Sequence, residues 1–179
     1  MTDYNYLIRQ LMNKKEYRPV VVALLYNKKN EINRFLAVQS AKALTNDGIE
    51  EWLFPQEGIE EDETLEKTLA RGLHEELSML HFHYQIHNPN EPIFLYKTVD
   101  AEKGRADKRG YTKGKAYLHV LARYHGNGDL IVNPKEIVKA DWYTAEELRS
   151  KFSQGRKEKA DLLIEGLDYA LIELAQEKE

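Results

Sequence analysis

Glu75 and Glu76 stand side by side in a stretch, Trp52 to Met79, that also carries Glu57, Glu60, Glu61, Asp62, Glu63 and Arg71. Carboxylates are hard oxygen donors. Magnesium is satisfied by two or three of them, keeps several waters, and takes further oxygens from a phosphate. A helix turns about 100° per residue, which would set positions 72, 75, 76 and 79 on one side, next to a leucine stripe. The same residues have a plainer reading: a solvated helix face on which Arg71 bonds Glu75 at i,i+4 spacing. Gly72 needs an explanation under either reading, because glycine inside a helix costs about 1 kcal/mol relative to alanine.

These side chains need a helix to carry them. Leu65, Leu69, Leu73, Leu77 and Leu80 predict one over Glu63–Met79. Tyr6, Leu7, Leu11 and Met12 predict a short N-terminal helix over residues 3–14. The β-branched run Arg18–Asn27 reads as a buried strand, followed by a polar turn and a hairpin partner over Arg34–Ala41. Glu51–Phe54 is a short strand that Pro55 stops, because proline lacks the ladder donor. FHYQI, PIFLYKTVD, AYLHVLARYHG and the stretch from Glu136 to Tyr143 supply further strands. TAEEL opens a helix that Thr144 can cap and Glu147 can reach back to. Leu162, Leu163, Leu167, Leu171, Ile172 and Leu174 mark a closing helix of about residues 157–177. This order of strands and helices predicts a mixed α/β chain of one domain, residues 1–179.

Composition narrows the function. The 26 basic and 30 acidic residues leave a formal net charge of −4, which argues against coating duplex DNA but allows a local basic patch for a phosphorylated ligand. With 0 cysteines, thiolate nucleophiles, disulfides and cysteine zinc sites are excluded. The chain shows neither a secretory leader nor a membrane-length apolar run, so a cytoplasmic protein with no membrane partner is expected.

Two further clusters carry two readings each. Arg105, Lys108, Arg109, Lys113 and Lys115 lie among Gly104, Gly110 and Gly114. They suit a loop that closes over phosphates, or a solubilising hairpin tip. Tyr111 and Tyr117 could stack a base or pack a half-buried sheet. His81 and His83, at strand spacing with His87 nearby, could hold a transition metal or be ordinary exposed histidines. His74, about 200° around the helix from position 72, is expected to face away. In the closing helix, Leu163, Leu167, Leu171 and Leu174 read as packed on the sheet, with a docking surface as the alternative.

Pro55, Gly58, Glu63, Arg71, Leu73, Glu75, Glu76 and Met79 together resemble the Nudix box of the Nudix hydrolases, a loop–helix motif of pattern G-x5-E-x7-R-E-U-x-E-E-x-G-U, with U a bulky aliphatic. Glu63 takes the first glutamate, Arg71 the arginine, Leu73 the aliphatic place, Glu75 and Glu76 the paired glutamates, and Met79 the last U. WLFPQEG resembles the lead-in of the branch that cleaves dinucleoside polyphosphates and RNA 5′ ends. The resemblance extends more weakly from about Arg18 to Leu148. Three positions depart: Glu57 replaces the opening glycine, Gly72 the glutamate after the arginine, and Ser78 the late glycine.

The resemblance implies an α/β/α sandwich, a mixed sheet flanked by helices. It also implies a magnesium-dependent hydrolase, with manganese as an alternative metal, that cleaves a pyrophosphate bond in a nucleoside polyphosphate or nucleoside diphosphate-linked substrate. An RNA 5′ end falls in the same class. Glu75, Glu76, Glu57 and Glu136 are then the candidate metal ligands. Glu75, Glu76, Glu136 and Arg71 would serve catalysis, with Arg71 orienting carboxylates and fixing the loop. Glu136 corresponds to a glutamate of that branch lying just before the late aromatic strand; its plainer reading is a solvated charge at a strand start. Arg105, Lys113, Lys115 and Tyr117 would contact substrate, while Gly58 and Glu63 hold the motif's structure. The family's glutamate at position 72 is a metal ligand and, in some members, the general base. Its loss leaves two readings: either another group such as Glu57 fills the space, or the chain is a nucleotide-binding module without hydrolysis.

Overall fold

The structure, a computed structural model, describes residues 4–41, 51–87, 95–98, 109–126, 130–155 and 157–176. Helix α1 (Tyr4–Lys14) leads into strands β1 (Tyr17–Lys29) and β2 (Ile32–Ser40). β3 (Trp52–Leu53), β4 (Gln56–Gly58), α2 (Leu65–Leu77), β5 (Tyr84–Ile86) and β6 (Leu95–Thr98) follow, then β7 (Gly114–Tyr124), β8 (Ile137–Tyr143), α3 (Ala145–Ser153) and α4 (Lys157–Gln176).

β1 and β7 run parallel, and the remaining pairs are antiparallel, so the sheet is mixed. β1 is buried on both faces, which is why its sequence is a continuous apolar run rather than an alternation. Val20, Val22, Leu24 and Tyr26 pack with Phe152, Leu163, Leu167 and Leu174 of α3 and α4. Val21, Ala23 and Leu25 pack with Ile8 of α1 and Leu65, Leu69, Leu73 and Leu77 of α2. The expected α/β/α sandwich is therefore present. α4 lies close on β7 at Gly166, where a Cβ would stand 2.9 Å from the His119 Nε2. Leu163, Leu167 and Leu174 belong to this core, and Leu171 is packed against it. No described helix is long and apolar enough to cross a membrane.

The sheet has one irregularity that matters to the site. β1 and β2 pair from their shared turn as far as Tyr26 and Phe35 and then part. The segment 52–58 fills the gap, with Trp52–Leu53 pairing to β2 and Gln56–Gly58 pairing to β1. Pro55 sits at the crossover, and its carbonyl accepts the Ala23 N–H at 2.8 Å. The proline ends one strand as expected, yet the chain resumes pairing immediately on the other neighbour.

Several boundaries differ from the expectations. The β1–β2 turn is a tight two-residue one, with Asn30 and Glu31 both at positive φ, which matches the twist of the flanking strands. α2 is shorter than Glu63–Met79, because Thr64 caps it by accepting the Lys67 N–H, and Ser78 ends it in the left-handed conformation at φ 53°. His81–His83 form a 3-10 turn rather than a strand, so the two imidazoles do not share a strand face. The closing helix is Lys157–Gln176, and the capping box of Thr144 and Glu147 is formed.

Candidate active site

Arg71 organises the loop before α2. Its Nε and Nη2 donate to the two Glu63 oxygens at 2.8 Å each, a bidentate pair, and Nη2 also donates to the Gly58 carbonyl at 3.0 Å. The Thr68 hydroxyl and the Glu60 N–H donate to the same Glu63 carboxylate at 2.9 and 3.2 Å. The Arg71 guanidinium holds the Glu63 carboxyl down at about 2, against an ordinary 4.5. The hydrogen bonds to Glu63 raise Arg71 in turn. Glu63 is thus fully engaged in fixing the loop to the helix. Thr68 carries its own sequence signal, a polar residue in phase with the leucine stripe, and it is fully buried in the structure.

Helix phase separates the two neighbouring glutamates. The buried face of α2 runs through Leu65, Thr68, Leu69, Gly72, Leu73, Glu76 and Leu77. Glu76 lies on it, only 8% exposed. Glu75 lies off it, its side chain 49% exposed and its Oε2 3.6 Å from Arg71 Nη1. Positions 72, 75 and 76 therefore do not present one shared face as the sequence suggested. An offset of about 100° carries Glu75 towards solvent and Arg71. His74 is exposed on the far side, as expected.

Glu57 lies in strand β4, opposite Val21 of β1, with an ordinary extended backbone. A glycine's freedom is not required there. Its side chain lies against Gly72: a Cβ at position 72 would stand 2.7 Å from Glu57 Cβ and 3.1 Å from its Cγ. The Glu57 Oε1 accepts the Gly58 N–H at 2.8 Å and lies 3.5 Å from Arg71 Nη1. Gly58 is needed for a different reason. The Arg18 guanidinium crosses directly over it, and a Cβ there would stand 2.1 Å from Nη2.

Glu136 is held by backbone bonds. The Asn133 N–H donates to the Glu76 carbonyl at 2.9 Å, one of the carbonyls left over in the last turn of α2. The Glu136 and Ile137 N–H groups donate back to the Asn133 carbonyl at 3.0 and 2.8 Å. The turn preceding β8 is thereby tethered to the helix at Glu76.

These elements enclose a cleft of about 380 Å³. Glu57, Glu76, Glu136 and Glu51 line it, together with Arg18, Lys115 and Lys159. Arg18 and Lys115 are direct neighbours across the parallel β1–β7 pair. Lys159 of α4 donates to the buried Glu51 at 3.0 Å across 108 residues of sequence. The Arg18 Nε is buried and, among the described residues, hydrogen-bonds to nothing. Arg18, Glu51 and Lys159 were not anticipated, because tertiary packing alone brings them together.

Among the described residues no three His, Asp or Glu side chains converge on one point. The donors along the cleft are nonetheless hard carboxylate oxygens. They fit magnesium or manganese, which keep several waters and complete their shell with substrate phosphate.

The other anticipated residues lie elsewhere. Lys113 pairs with Glu16 at 2.7 Å on an exposed edge. Arg109 pairs with Glu60 at 3.4 Å. Tyr117 is buried in the core that faces α4, and Tyr111 is buried beneath Lys15, whose Nζ stands 4.8 Å from its ring, so neither ring is displayed for stacking. The His83 Nδ1 accepts the Leu80 N–H at 3.1 Å, and His87 stands edge-on to Tyr26. Arg105 and Lys108 lie outside the described residues.

Comparison with known proteins agrees with this fold. The NUDIX domain family model matches residues 16–164. The fold is similar to that of a C. elegans Ap4A hydrolase in a binary complex, with TM-score 0.61, 16% identity, and 87% of this chain and 98% of that one covered. It is also similar to the NUDIX domain of Shewanella oneidensis NrtR complexed with ADP ribose, with TM-score 0.59, 18% identity, and coverage of 96% and 99%. A third is the E. coli dihydroneopterin triphosphate pyrophosphohydrolase, with TM-score 0.60, 13% identity, and coverage of 88% and 98%. At these identities the likeness establishes the fold.

Proposed function

The chain belongs to the NUDIX domain family, and on that premise we propose that it hydrolyses a pyrophosphate bond in a nucleoside polyphosphate or nucleoside diphosphate-linked substrate, with magnesium or manganese as cofactor. Membership of this family supports a pyrophosphohydrolase. The observation that carries the reading is the cleft itself, where carboxylates from α2 and the turn before β8 face cations from β1 and β7. A polyphosphate chain needs both: cations for its free oxygens, and acids to hold the metal that neutralises the rest.

A divalent cation bound there would neutralise phosphate oxygens and acidify a water. The chain's own residues supply the rest. Glu76, buried on α2, is the principal acid for the cation. Arg18 and Lys115 hold phosphate oxygens from neighbouring strands. Glu136, on a turn tied to the Glu76 carbonyl, takes the proton from the attacking water. Arg71 and Glu63 lock the loop, so that these groups are placed before substrate arrives.

Neighbours solved with ADP ribose or named for Ap4A and dihydroneopterin triphosphate support a substrate in which phosphoanhydride links a nucleoside-like group to a second group. An RNA 5′ end presents the same linkage. Incubating the purified chain with a panel of such compounds, magnesium and manganese should give turnover that Glu76→Gln removes; equal, background-level rates for both proteins would refute the proposal. One observation favours a second reading, a nucleotide-binding module: Gly72 stands where the family's helix carries a glutamate. In that case the panel would bind without being cleaved.

A further inference from the structure

Helix α2 has no carboxylate at position 72, and β4 has an unexpected one at position 57. The structure shows these two departures as one feature. The Glu57 methylenes occupy the space immediately beside Gly72, too close for any Cβ there to coexist with them as they stand. Gly72 is buried in mid-helix, where its intrinsic effect is unfavourable. That effect is offset only if something useful uses the room.

What uses it is the stem of an acid. The Glu57 carboxylate is not spent on a strong ion pair: Arg71 gives its two short bonds to Glu63 and stands 3.5 Å from Glu57. One Glu57 oxygen is oriented by the Gly58 N–H. Glu57 lines the cleft together with Glu76, which follows Gly72 on the same buried helix face.

We infer that Glu57 and Gly72 have exchanged side chains across the β4–α2 contact, so that the strand supplies the cation-binding carboxylate that the helix lacks. The inference rests on the proposed hydrolase reading and assigns one acid within it. A packing role alone would be met by glutamine, which has the same shape and no charge. A cation-binding role would not, since removing a carboxylate from a metal's surroundings weakens binding about tenfold or more.

Manganese binding to the full chain, measured by electron paramagnetic resonance, separates these outcomes without using activity. Glu57→Gln should unfold at the same temperature as the wild type yet bind manganese about tenfold or more weakly. Gly72→Glu alone should lower the unfolding temperature, because it forces two side chains into one space. The double variant Glu57→Gly with Gly72→Glu should recover both the unfolding temperature and manganese binding. Wild-type affinity in Glu57→Gln, or a double variant that binds no better than Glu57→Gly alone, would overturn the exchange. If such a Glu57→Gln protein is accompanied by a wild type that cleaves nucleotides, the hydrolase stands and only the exchange falls. A wild type that neither binds manganese nor cleaves removes both.

Discussion

Replacing Glu63 with glutamine should destabilise the protein in a pH-dependent way. Holding a carboxyl at about 2 instead of 4.5 corresponds to about 3 kcal/mol at neutral pH. Solvent still reaches both partners, with 19% of the Glu63 and 25% of the Arg71 side chain exposed, and screening lowers the expected figure to about 1.5–2 kcal/mol. The folded value lies below the unfolded one. The charge therefore contributes fully above pH 4.5, and its contribution is lost as pH falls through 4.5 towards 2. At pH 7, Glu63→Gln should unfold about 3–8 °C below the wild type. Urea unfolding of both proteins in a pH series should show the gap closing through the same window. A gap that stays constant down to pH 2.5, or one that is absent at pH 7, would refute the claim that a charged Arg71–Glu63 pair fixes the loop.

Other expectations follow from single contacts. Ser78 ends α2 at φ 53°, a conformation that costs an ordinary side chain about 1–2 kcal/mol; Ser78→Gly should therefore raise stability by about 0.5–1 kcal/mol after the unfolded chain's extra freedom is deducted, measurable as a higher urea midpoint. Leu167, fully buried where α4 meets the sheet, should cost about 2–5 kcal/mol on conversion to alanine, read by the same unfolding curve. Arg18→Gln, which removes a cation from the cleft but leaves Glu76 in place, should raise KM about tenfold for a polyphosphate substrate and change kcat less; an unchanged KM would remove Arg18 from the phosphate site.

Local signals made much of this architecture readable. The leucine stripe located α2, the β-branched run located β1, and Thr144 with Glu147 located the start of α3. The resemblance to the Nudix box, not spacing alone, implied that Arg71 fixes the loop and that Glu63 holds the motif's structure; in the structure the two form a bidentate pair. Features made by distant parts of the chain were not readable. Glu51 reads in sequence only as the start of a short strand, and its buried carboxylate gains Lys159 only through the packing of α4. Arg18 looked like the edge of a strand, although pairing with β7 puts it beside Lys115. The histidines at 81 and 83 have strand spacing, yet α2 ends in a left-handed residue and Met79 turns into the core, which leaves a short link that curls into a 3-10 turn. Adjacency in sequence makes Glu75 and Glu76 look like a pair. The phase of the buried positions already separated them: 69, 72, 73 and 76 belong together, and 75 does not.

The irregular sheet gives the cleft its shape. Because β1 and β2 part beyond Tyr26 and Phe35, a short strand can enter between them and deliver Glu57 to the buried face of α2. The same parting leaves Arg18 across Gly58, beside the acids rather than beneath a continuous sheet. Acids and cations meet because the strands diverge there.

The most direct test is a crystal structure with manganese and a non-hydrolysable nucleoside polyphosphate. The account predicts anomalous density for the metal beside the Glu76 carboxylate, with phosphate oxygens between it and Arg18. Metal and phosphates located away from this cleft, with Glu76 bonded only to protein groups, would contradict it.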